Sequence, residues 1–167
     1  MNKLIKLAAI CTLLIFGCTK TYNMATTSME PTIRKGQAMT IINNTEITRD
    51  DIVAFNAPED DNIWIFRVVG IPGDTIRVID GILQVNSEKD PYGFSTSDTN
   101  NSEDDAMEIF GASEQDDWTA NNLGPIVVPA DSEQYFLMGD NRSNSYDSRY
   151  FGFIKKEDII GTVELKE

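Results

Sequence analysis

The chain has 167 residues, 41% of them hydrophobic and 25% charged, with a formal net charge of −13 and no histidine. That length suits one domain with a modest core. The acidity argues against nucleic acid, whose binding rests on Lys and Arg contacts to phosphate, and against a basic surface adhering to anionic lipid; its simplest reading is solubility. The two cysteines, Cys11 and Cys18, both lie in an N-terminal apolar segment. The remainder therefore has no disulfide and no cysteine metal site. Without histidine, zinc is not expected, and no metal or cofactor is implied.

Lys3 and Lys6 precede an uncharged run from Leu7 to Thr19, closed by Lys20. The run is short for a membrane-spanning helix, which needs roughly 17–25 residues, and suits a secretory leader core of about 7–15. Residues 1–20 are read as a leader or short anchor and 21–167 as the folded domain. Ile15-Phe16-Gly17-Cys18 resembles a bacterial lipoprotein cleavage site, although Phe16 is an unusual occupant. Cut there, Cys18 becomes a lipidated N-terminus. The alternative is an uncleaved anchor with Lys6 snorkelling to the interface. Both tether the domain outside the cytoplasm and place Ser28 close to a membrane.

Short apolar and β-branched runs follow: Met39–Ile42, Asp51–Phe55, Ile63–Gly70, Thr75–Ile79, Ile82–Val85, Tyr135–Met138 and Ile159–Leu165. Each predicts a strand. Asp80-Gly81 between two of them predicts a type I′ hairpin, since both central positions require positive φ. No long 3.6-residue apolar period appears after residue 20. The expected fold is all-β, a barrel-like set of coiled antiparallel sheets. Glu88–Asp117 carries ten acidic residues and one Lys among Ser, Asn and Thr. With the residues up to 122 it reads as a solvated insert, a spacer or else a docking surface.

Four segments resemble the type I signal peptidase family, in that family's order. Thr27-Ser28-Met29-Glu30-Pro31-Thr32-Ile33 resembles the nucleophile motif, and Arg49–Phe55 the family's Arg-Gly-Asp-Ile-Val-x-Phe strand. Trp64–Asp74 resembles the stretch that delivers the general-base lysine. Gly139–Phe153 is close to the signature Gly-Asp-Asn-Arg-Asp-Asn-Ser-x-Asp-Ser-Arg. Leu123–Pro129, leading into it, also fits. The resemblance implies a signal peptidase I-like fold and a serine endopeptidase reaction on preproteins bound as extended peptides. Residue by residue it makes Ser28 the nucleophile and Thr26 an oxyanion-hole hydroxyl, with the Ser28 N–H as second donor. Ser145 becomes the partner of the lysine, and Arg67, Asp147 and Arg149 become supporting charges or a structural salt-bridge cluster.

The departure is at the base. The family places Lys directly before the Arg, whereas this chain has Phe66 before Arg67. A serine hydroxyl is a weak nucleophile without a base in reach, and a phenyl ring accepts no proton. Strand alternation puts Trp64, Phe66 and Val68 on one face, with Phe66 expected as an apolar plug beside Ser28. Losing the base of a serine peptidase costs on the order of 10⁶ in turnover, whereas one oxyanion donor is worth about 10²–10³. Substitutes are Lys20, Lys35, Lys89, Lys155, Lys156 and Lys166, a carboxylate, or a lysine from a partner chain. Three functions follow: a membrane-tethered signal peptidase-like peptide binder with impaired activity, an active peptidase with a displaced base, or a structural lipoprotein.

Overall fold

The computed structural model describes residues 20–43, 46–79, 82–89 and 123–165. The leader with Cys11 and Cys18, the Asp80-Gly81 turn and residues 90–122 of the acidic insert lie outside these.

Among the described residues, eleven strands form two sheets. They are β1 (Lys20–Asn23), β2 (Ala38–Ile42), β3 (Ile52–Asn56), β4 (Ile63–Gly70), β5 (Thr75–Ile79), β6 (Ile82–Val85), β7 (Glu88–Lys89), β8 (Leu123–Val127), β9 (Gln134–Met138), β10 (Ile154–Lys155) and β11 (Ile159–Leu165). The larger sheet runs β1-β2-β11-β3-β4-β9-β10 and the smaller β7-β6-β5-β8. Every pairing is antiparallel. The only α-helical residues described are the single turn Ser148–Phe151. The fold is all-β.

Two expectations need correction. The sequence ends the leader at Lys20, yet Lys20 pairs with Ile41 as the first residue of β1. The acidic composition starts the loop at Glu88, yet Glu88 and Lys89 pair with Val85 and Gln84. Asn86 and Ser87 make that reversal with φ of 51° and 71°. Ser rarely adopts such a backbone, so the turn carries no ordinary sequence signal.

Each sheet has its own apolar cluster. Met29, Ile33, Met39, Val53, Phe55, Phe66 and Leu137 pack in the first; Ile76, Leu83, Val128, Phe136 and Met138 pack in the second. Strand β4 runs between the two. Residues Ile65 to Gly70 are all buried, so both of its faces are covered. That explains a run apolar apart from Arg67 where a half-exposed strand would alternate.

Asp74 ties the link after β4 to the smaller sheet. Its carboxylate accepts from Arg49 (2.5 and 3.1 Å), from the Ile71 N–H and from Asn86 Nδ2. Burial by itself would raise the Asp74 carboxyl; the Arg49, Ile71 and Asn86 bonds together carry it below the usual carboxylate value. A depressed folded value contributes stability above the unfolded value of 3.8, and that stability fades as pH falls through the folded value. Asp74→Asn is therefore expected to lose about 1–3 kcal/mol at neutral pH. The gap between urea melts of the two proteins should begin to narrow as pH falls through 3.8 and close only below the folded value; a gap that stays constant from neutral pH down through the acid limb would refute this role.

Candidate active site

Ser28 stands in the loop between β1 and β2. Met29 and Ile33 are fully buried and anchor that loop in the core. The Ser28 hydroxyl lies 2.8 Å from the Thr26 hydroxyl, and the Ser28 N–H donates to the same Thr26 oxygen at 3.3 Å. The two groups expected to form the oxyanion hole are thus bonded to one another in this resting arrangement.

Ser28 lines a cavity of about 800 Å³. Thr26, Tyr22, Met24 and Met39 line it from the β1–β2 side, and Trp64, Ile65 and Phe66 from β4. Asn144 and Tyr146 come from the loop after β9, and Asp60 and Asp61 from the turn between β3 and β4. Phe66 thus shares a cavity with Ser28. Only 4% exposed, its ring packs against Phe55 at 5.7 Å and, edge-on, against Trp64 at 6.1 Å. No Lys or Arg is among the described lining residues. The lining carboxylates are Asp60, which accepts from the Asn62 N–H and Nδ2, and Asp61, which is exposed.

Three of the candidate lysines can be placed. Lys35 is exposed in the turn after the serine loop, Lys155 pairs with Glu157, and Lys156 with Glu133. None lines the cavity. The side chains of Lys20, Lys89 and Lys166 lie outside the described set.

Behind the cavity, the loop after β9 is held by two buried ion pairs. Arg67 Nε and Nη2 grip Asp140 at 2.7 and 2.6 Å, and Arg67 Nη1 donates to the Asp50 carbonyl. Arg149 grips Asp147 at 2.8 and 2.9 Å, and Asp147 also accepts from the Gly139 N–H. The expected supporting charges are therefore split between two pairs, and Asp140, singled out by nothing local in the sequence, is the partner of Arg67. Gly139 lies against the serine loop: a Cβ there would sit 2.6 Å from the Ser28 carbonyl oxygen. The Ser145 hydroxyl is buried and has no hydrogen-bond partner among the described residues. No group of three His, Cys, Asp or Glu is placed to hold a metal among the described residues.

The sequence model of the family described as "Signal peptidase, peptidase S26" matches residues 1–166. The chain belongs to the signal peptidase S26 family. It is similar to signal peptidase I P of Bacillus subtilis subsp. natto, 34% identical over 143 residues, covering 83% of this chain and 71% of that one. It is similar to signal peptidase I T of Bacillus subtilis, 31% identical over 168 residues, covering 96% and 80%. Signal peptidase IB of Staphylococcus aureus is 30% identical, covering 87% and 75%. A crystal structure of a signal peptidase I from Enterococcus faecalis is 28% identical with a TM-score of 0.47, covering 71% of this chain and 97% of that one.

Proposed function

We propose that this signal peptidase I-like protein is tethered on the extracytoplasmic side of a bacterial membrane. There it binds extended peptides such as preprotein signal segments, with its own peptidase activity lost or nearly lost. The observation that carries this reading is Phe66 on the wall of the Ser28 cavity, with no lysine among the described residues that line that space. The unpartnered Ser145 hydroxyl supports it, as the group left over when an amine is replaced by a ring. Ser28 and Thr26 keep the nucleophile and oxyanion positions and are hydrogen-bonded to one another, with no base on that pair among the described residues. Peptide binding is supported by geometry: β1 is an edge strand of the larger sheet, and its Tyr22 and Asn23 line the cavity. An extended ligand can add to such an edge through main-chain hydrogen bonds. The direct test is Phe66→Lys, which should create signal-peptide cleavage.

A second reading, an active peptidase with a displaced base, is favoured by Asp60 and Asp61 lining the same cavity as Ser28. It requires wild-type cleavage with a pH–rate profile showing one essential carboxylate.

For the tether, Cys18 is the proposed lipidation position. Palmitate should label the full chain in bacterial cells, and Cys18→Ser should abolish the label. Failure of the wild-type chain to incorporate palmitate would leave the uncleaved anchor.

A further inference from the structure

Residues 114 and 117 positions apart in the chain meet behind Ser28. The Asn141 N–H donates to the Ser28 carbonyl at 2.9 Å, and Asn141 Nδ2 donates to the Thr27 carbonyl at 3.1 Å. Asn144 Nδ2 lies 2.9 Å from the Thr27 hydroxyl. The Thr27 carbonyl also accepts from the Glu30 N–H at 3.1 Å, so it holds two donors. Two consecutive peptide groups of the serine loop are thus clamped from outside the loop.

We propose that Asn141 and Asn144 are positioning residues that set the Ser28 hydroxyl. This rests on Ser28 being the nucleophile position and goes beyond it, because neither asparagine touches a reacting atom. Residues 24–37 form no strand, so nothing regular fixes Ser28 along its own chain. The clamp is itself held firmly. Asp140, next to Asn141, is gripped by Arg67, and Arg149 Nη2 donates to the Arg142 carbonyl at 2.7 Å. Rigidity therefore passes from the buried ion pairs, through Asn141, to the Thr26–Ser28 hydroxyl pair.

The two asparagines differ in a way that a space-filling role would not reproduce. The partner of Asn141 is a carbonyl, which can only accept. Asn141→Asp sets a carboxylate against that carbonyl oxygen and breaks the bond. The partner of Asn144 is a hydroxyl, which can donate as well as accept. Asn144→Asp keeps a bond with the direction reversed, whereas Asn144→Ala removes it.

The experiment has two arms. In full-length Phe66→Lys protein, added Asn141→Asp should lower kcat by about 10–100-fold with KM within about twofold, the cost of roughly an ångström of misplacement. Asn144→Ala should lower kcat as well, and Asn144→Asp should restore most of that loss. Independently of any activity, crystal structures of Asn141→Asp and Asn144→Ala with native Phe66 should show the Ser28 hydroxyl moved off the Thr26 hydroxyl. If Phe66→Lys is inactive, the functional reading fails and the crystallographic arm still decides the clamp. If Asn141→Asp does not fold, the exposed Asn144 pair decides it. A 2.8 Å Thr26–Ser28 contact retained in the variants that fold overturns the proposal, as does equal kcat for Asn144→Ala and Asn144→Asp.

Discussion

Phe66→Lys is expected to raise signal-peptide cleavage from background to a readily measured rate, by at least about 10³-fold. Removing the base from a serine peptidase costs on the order of 10⁶ in turnover, and replacing it restores part of that when the rest of the site stands. The parts that stand are visible. Ser28 and Thr26 are hydrogen-bonded at 2.8 Å, and the Ser145 hydroxyl is buried without a partner among the described residues. An amine at position 66 would leave a slot walled by Phe55 and Trp64. Those rings would desolvate it and favour its neutral, proton-accepting form. The gain should therefore rise with pH as the amine loses its proton. Adding Ser28→Ala to Phe66→Lys should return the rate to background. A Phe66→Lys protein that folds and still cleaves nothing would assign the defect elsewhere; if it also fails to bind extended peptide, the structural-lipoprotein reading gains.

Asp147→Ala should be the most destabilising single change in the described domain. Asp147 is fully buried and Arg149 nearly so. Burial alone would lower the Arg149 guanidinium, but Asp147 beside it, by charge and hydrogen bond, raises it above the ordinary arginine value. Removing the carboxylate leaves a buried charge uncompensated, which costs about 3–5 kcal/mol. It also removes the acceptor for the Gly139 N–H and the cap on the Arg149 N–H. Against a typical stability of about 5–15 kcal/mol, that predicts a fall in Tm of roughly 10–20 °C. The exposed Lys155–Glu157 pair, 3.3 Å apart, is the control. Breaking it should cost less than about 1 kcal/mol. Similar melting shifts for the two would mean that the buried pair is not what holds the loop after β9.

Much of the fold was legible because its strands carry their own signals. β4, β5, β6 and β11 have the bounds that apolar runs predict, and β2, β3 and β9 differ by one residue. The strands that escaped are short or disguised. β1 is the polar tetrad Lys-Thr-Tyr-Asn, and β7 and β10 have two residues each. β8 contains Gly124-Pro125, which reads as a breaker. At the site, Ser28 and Phe66 were legible as motif positions, and they line one cavity. Asp140, Asn141 and Asn144 sat inside a recognised run without any local hint of their partners. An ion pair spanning 73 residues, or a clamp spanning 114, leaves no periodic trace. Asp60 and Asp61 look like ordinary turn residues until the turn between β3 and β4 brings them to the cavity.

The most direct test is incubation of the wild-type protein with a signal-peptide substrate, with Ser28→Ala alongside. Equal background rates for the two are predicted, since Phe66 holds the proposed base position on the wall of the Ser28 cavity. Turnover by the wild type that vanishes in Ser28→Ala would contradict the account and hand the base to another group, Asp60 or Asp61 first.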